Sequence, residues 1–285
     1  MRTLPATIAV LCLTSICAAA DFDPFQGAQP LAIFIQSNPW ASVIGSDTPR
    51  VAIYANGDVI FAKKVKDRLA YHQVTLDKDQ LEKLREQLKP VLALKDLKPG
   101  YDIRPNVTDQ PEAKLYFRDG EREVATSVYG LRAAGTKLPG FTEFPGGRKA
   151  TVPPDELLKL HTWLCELDYP NSKEWTPKYV EVMVWDYSYA PDASILWPKD
   201  WPALNSDRAI KRGNSYSVFL DGSLLPKLRE FLGTRKPKGA VEFGGKKMSA
   251  SYRFTFPGER AWRKAFADAA EQAEKQETEG DKGGG

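Results

Sequence analysis

The chain has 285 residues, with 40 Lys or Arg against 37 Asp or Glu and a formal net charge of +3 at neutral pH. That near balance provides no strong field for nucleic acid or an anionic membrane. Three cysteines in such a length exclude a disulfide-dense scaffold.

Residues 1–20 read as a signal peptide cleaved near Ala20. Arg2 precedes an apolar stretch from Ala6 to Ala18, and Ala18-Ala19-Ala20 offers the small side chains a peptidase groove accepts. The stretch is shorter than the roughly 20 residues of a membrane span, so no membrane insertion of the mature chain is expected. Ile16 before Cys17 and Leu11 before Cys12 do not suit lipid attachment. The expected localisation is therefore export, to the periplasm or outside the cell. Cys165 is then the one cysteine of the mature chain, which excludes an intrachain disulfide.

Residues 32–37 and 50–64 predict strands, and Asn56-Gly57 within the second predicts a hairpin with a type I′ turn. Tyr71 to Leu76 predicts another strand. Asp77 with Gln80 three residues later is a capping box for a helix carrying Leu81, Leu84 and Leu88 on one face. A proline-rich loop spans 98–112, a hairpin turning at Asp119-Gly120 covers 114–130, and a second long loop covers 131–152. Pro153-Pro154-Asp155 starts a helix with Leu157, Leu160, Leu164 and Leu167 on one side. Tyr179 to Tyr187 alternates as a half-buried strand, and an aromatic, proline-rich stretch follows to Leu204. Tyr216 to Leu220 predicts a strand, Ser223 to Leu232 a helix with Pro226 in its first turn, and Val241 to Phe256 a hairpin around Gly244-Gly245. A last helix runs from Gly258 to Gln276. The polar, glycine-rich tail 277–285 is expected to be disordered.

Val74–Leu88 and Val218–Leu232 are identical at nine of fifteen positions without a gap. In both places a strand enters and a glycine-turned hairpin and a helix follow. The expected fold is α+β: two similar β-α-β-β-α units with antiparallel sheets and hairpins, over 21–172 and 173–276.

The hairpin Pro49–Ile60 (PRVAIYANGDVI), the pair Trp197-Pro198 and the segment Tyr252–Glu259 resemble a group of uncharacterised bacterial secreted proteins. The resemblance implies export and a shared fold, and it implies no activity.

The chemistry-bearing residues are few. His72 and His161 are the only histidines, and no G-x-S-x-G elbow accompanies them. His161 and Cys165 share a helical face at i and i+4, where packing is the expected role and a thiolate–imidazole pair or a zinc site the alternative. Asp102, Asp109 and Glu112 lack EF-hand spacing. No catalytic residue, metal site or cofactor is assigned. Trp185, Tyr187, Tyr189, Trp197 and Trp201 crowd one segment and form the candidate binding set, for a protein partner or a polysaccharide, with burial at a core edge as the alternative. The reading that results is an exported binding or interaction module, contacting its ligand through the aromatics and the two long loops. Two alternatives stand beside it. One is a hydrolase of envelope or extracellular polymers using paired carboxylates among Asp186, Asp192 and Asp200. The other is a structural envelope factor without a ligand pocket.

Overall fold

The computed structural model describes residues 22–40, 48–66, 68–132 and 147–282. The expected signal peptide and most of the 131–152 loop lie outside the described residues.

An apolar run with no polar interruption demands burial on both faces, and the strand β1 (Pro30–Ser37) is buried along almost its whole length. It sits inside an eight-stranded sheet with β2 (Val51–Tyr54), β3 (Asp58–Val65), β4 (Arg68–Thr75), β5 (Gly100–Asp102), β6 (Glu112–Asp119), β7 (Arg122–Tyr129) and β8 (Lys173–Glu174). The order is β5-β7-β6-β1-β2-β3-β4-β8. On one face, α1 (Lys78–Leu92) and α2 (Asp155–Glu166) press Leu84, Leu88, Leu157, Leu160 and Leu164 onto Phe34, Phe61 and Phe117. The capping box at Asp77 and Gln80 forms as expected, with both reciprocal hydrogen bonds present.

The second sheet contains β9 (Tyr179–Asp186), β10 (Asp192–Leu196), β11 (Ala209–Arg212), β12 (Ser215–Asp221), β13 (Gly239–Phe243) and β14 (Lys246–Phe254), in the order β10-β13-β14-β9-β12-β11. A 3-10 turn at Gly222–Leu224 leads into α3 (Leu225–Gly233), whose first turn holds Pro226 where its missing N–H costs nothing. This helix covers one face, packing Leu225 and Leu228 on Val180, Val182 and Val218.

The last helix, α4 (Glu259–Lys282), follows the second sheet in the chain but packs on the first. Trp262 and Ala265 cover Ile33, Ile35, Tyr54, Ile60 and Tyr116 on the face opposite α1 and α2. The first sheet is thus sandwiched, and its central strands are apolar on both sides.

Four expectations are corrected. Neither sheet is purely antiparallel, because the short edge strands β5 and β10 run parallel to β7 and β13. The sequence hides them, since three to five residues beside prolines carry no usable alternation. The two hairpins also join their sheets in opposite senses: β6, the first strand, pairs with β1, whereas β14, the second, pairs with β9. The Asn56-Gly57 turn has positive φ at Gly57 alone. It is a tight turn closed by the Gly57 amide on the Tyr54 carbonyl at 3.0 Å, and a Cβ on Gly57 would stand 2.6 Å from the Leu76 carbonyl oxygen. The left-handed pair expected there occurs instead at Gly244-Gly245. Finally, α4 continues through the expected tail to Lys282. The turns before the tail are rich in Ala, Glu, Lys and Gln, strong helix formers, with Glu271 and Lys275 paired at i,i+4, and the helix propagates from them across Thr278 and Gly280.

Candidate functional site

The period of two along β9 sorts its side chains. Val180, Val182 and Val184 enter the core under α3, so Glu181, Met183 and Trp185 occupy the opposite, outer face of the second sheet. Cross-strand partners share a face, which places Arg253, Ser251 and Ser249 of β14 and Phe219 and Ser217 of β12 beside them.

One end of this outer face is closed. Glu181 and Glu259 are 1% and 0% exposed, and Arg253 between them is 5% exposed. Arg253 pairs with Glu181 through Nη2 and with Glu259 through Nη1 at 2.6 Å. Ser217 donates to Glu181 at 2.5 Å, and Arg212 approaches the same carboxylate at 3.6 Å. Glu259 accepts from the Phe256 backbone N–H and from Arg263. The N-terminal segment seals this end, with Phe22 and Phe25 edge-on to Phe219 at 5.7 Å each. Each buried charge has a partner of opposite sign, so the chain of ions serves as a joint between β9, β14 and α4.

The other end is open. Trp185 is 39% exposed there, and Met183, Ser249 and Ser251 are half-buried. In the loop that follows β9, Tyr189 is 77% exposed and meets Tyr187 edge-to-face at 4.9 Å.

The expected aromatic set therefore divides. Trp185, Tyr187 and Tyr189 lie at the surface, whereas Trp197 and Trp201 are buried in the second core. Trp197 stacks on Phe243 at 4.4 Å, meets Trp201 at 5.0 Å and gives its indole N–H to the Pro202 carbonyl. Both tryptophans also touch Phe231 of α3. The proline-rich loop folds them inward because β13 and α3 leave a hydrophobic gap there that only large rings fill.

Two of the carboxylates beside the aromatics, Asp186 and Asp192, do not converge. Asp186 and Asp192 belong to strands separated by β13 and β14, three strand spacings or about 14 Å apart. That exceeds the roughly 5–9.5 Å of glycosidase carboxylate pairs. Asp186 accepts from Ser188, and Asp192 accepts from the Lys238 backbone N–H. The loop at 98–112 is similarly tied down. Thr151 and Asp102 exchange two hydrogen bonds, and the Asn106 side chain bridges to the backbone of Arg148.

His161 lies 3.5 Å from the Cys165 sulfur and edge-on to Phe34 at 5.1 Å. Burial, with Arg50 adding repulsion, lowers its pKa to about 4, so the ring is neutral and cannot hold a thiolate by charge. A linkage follows. The unfolded imidazole takes a proton near pH 6.5 and the folded one only near pH 4, so stability is intact above the first value and falls toward the second. The expected loss is about 3 kcal/mol, read from urea unfolding across that interval, and His161→Leu should abolish it. An equal acid loss in the variant would contradict this origin. His72 meets Ser172 at 3.3 Å through Nδ1, and Ser172 spends its backbone N–H on the Tyr169 carbonyl.

A groove of about 340 Å³ runs between the end of α1, β7 and α4, lined by Leu97, Val124 and Ala269 with Arg122 and Asp268 among its polar groups. Both polar groups are engaged within the protein, Arg122 by the Leu94 carbonyl and Asp268 by Lys264. Among the described residues, no group of three or more His, Cys, Asp or Glu is placed to hold a metal, and no helix is long and apolar enough to cross a membrane.

Sequence reading missed the serines of β14 and the Glu181–Arg253–Glu259 joint. The signal was present in the polar alternation Lys247, Ser249, Ser251, Arg253 and in a lone glutamate within a valine strand. No known protein family, curated protein or solved structure matches this chain.

Proposed function

We propose that the chain is an exported binding module that takes its ligand on the open half of the second sheet's outer face and on the adjoining β9–β10 loop. The observation that carries this reading is Trp185. Its indole stands outward beside half-buried serines on a sheet whose other face is already a complete core. Leaving apolar ring surface in water forgoes about 25 cal/mol per Å², a cost that a ligand covering the ring removes. Tyr189 extends the exposed aromatic surface into the loop. Export is supported by the pattern of residues 1–20. The identity between Val74–Leu88 and Val218–Leu232, each running from a strand into a helix, supports reading the halves as diverged copies of one unit.

The test uses the chain immobilised beside a Trp185→Ala, Tyr189→Ala double variant, both exposed to envelope and culture fractions. Specific capture by the wild type should disappear in the variant. Equal capture by both would remove the site, and with it the reading. Trp197 and Trp201 are unsuitable for this test, because truncating them perturbs the core.

A further inference from the structure

We infer that the ligand of this face is an uncharged polysaccharide, an inference that rests on the face being a binding surface at all. Three observations carry it.

The first is the ring itself. Trp185 lies on β9, which is flanked by β14 and β12, so its neighbours on this face are the side chains of adjacent strands. The face of an indole is electron-rich and attracts polarised C–H groups, which a sugar ring presents along one side.

The second is the company that ring keeps. Ser249 is the cross-strand partner of Trp185, and Ser251 is the partner of Met183. The two hydroxyls stand on one strand at a spacing of about 7 Å, and neither makes a side-chain hydrogen bond to any described residue. A serine hydroxyl both donates and accepts, which suits the hydroxyls of a sugar. Serine is depleted at protein–protein interfaces whereas Trp, Tyr, Met and Arg are enriched there, so the two serines are the feature that sets this face apart. The pairing of an exposed indole with half-buried serines therefore favours a hydroxyl-rich polymer over a protein.

The third is charge. Arg212 is answered by Glu181 at 3.6 Å, and Lys247 stands directly across from Glu242. Glu181 is shared by Arg212 and Arg253, so positive and negative groups are interspersed on this face with at most about one charge of excess, too weak a field to select an acidic polymer or a lipid headgroup.

The full chain is run by native electrophoresis through gels containing xyloglucan, mixed-linkage β-glucan or galactomannan, with dextran sulfate as the acidic comparison. At least one neutral polymer should retard it, and added salt should not abolish the retardation. Trp185→Ala should weaken that binding at least about tenfold, and Trp185→Phe should restore most of it. Ser251→Glu, which leaves the indole in place and adds bulk and charge beside it, should weaken it independently. Retardation only by dextran sulfate, or retardation unchanged by both variants, overturns the inference. If no polymer retards the chain while the envelope test still yields a Trp185-dependent partner, the polysaccharide is wrong and the binding site stands. If both experiments yield nothing, both readings fall.

Discussion

Arg253→Met should destabilise the protein by about 3–5 kcal/mol, the usual consequence of removing one partner from a buried ion pair. Arg253 touches both Glu181 and Glu259, and neither carboxylate is exposed beyond 1%. Methionine occupies similar volume, so the loss reports on the two stranded charges rather than on a cavity. Arg212 and Arg263 remain near one carboxylate each and limit the damage. The double variant Glu181→Leu, Arg253→Met should recover part of the loss, because Glu259 keeps Arg263 and the Phe256 N–H. Urea unfolding of the four proteins in the cycle gives the coupling. A cost below about 1 kcal/mol for Arg253→Met would show that water reaches these carboxylates. The same ion chain orients α4. Glu259 is an acid in the first turn of that helix, bonded to Phe256 just before it, and so suits the positive end of the helix dipole.

Trp262→Ala should cost a similar about 3–5 kcal/mol, by a different route. The indole is 1% exposed and fills the space between α4 and the strands carrying Ile33, Tyr54 and Tyr116. Its truncation leaves a void that rigid sheet residues cannot close. Trp262→Phe should cost much less, because the indole nitrogen makes no hydrogen bond in the described structure. Helix 4 is the element most exposed to this change. Amide hydrogen exchange in α4 should quicken more than exchange in α3, which belongs to the other core. Uniform quickening throughout would mean that the two cores unfold as one.

Several elements were legible in the sequence because their causes are local. Asp77 and Gln80 cap a helix through atoms three residues apart, and Gly244-Gly245 turns a hairpin through its own backbone freedom. The alternation Val180, Val182, Val184 also places Trp185 on the Glu181 side of β9 before any partner is known. Half of the proposed binding site was legible to that extent.

What remained depended on residues distant in the chain. Trp185 and Trp197 look alike in the sequence, yet one faces solvent and the other stacks on Phe243, because only the sheet order brings β13 to Trp197. The edge strands β5 and β10 exist because β7 and β13 offer them a hydrogen-bonding edge, not because GYD or DASIL favours a strand. The amphipathic pattern of α4 declared a buried face but could not name the sheet that buries it. By itself the sequence determined caps, turns and alternation, which arise between neighbours a few residues apart. The tertiary structure decided which aromatics became core, which face stayed open and where α4 docked, since burial is a property of everything that surrounds a side chain.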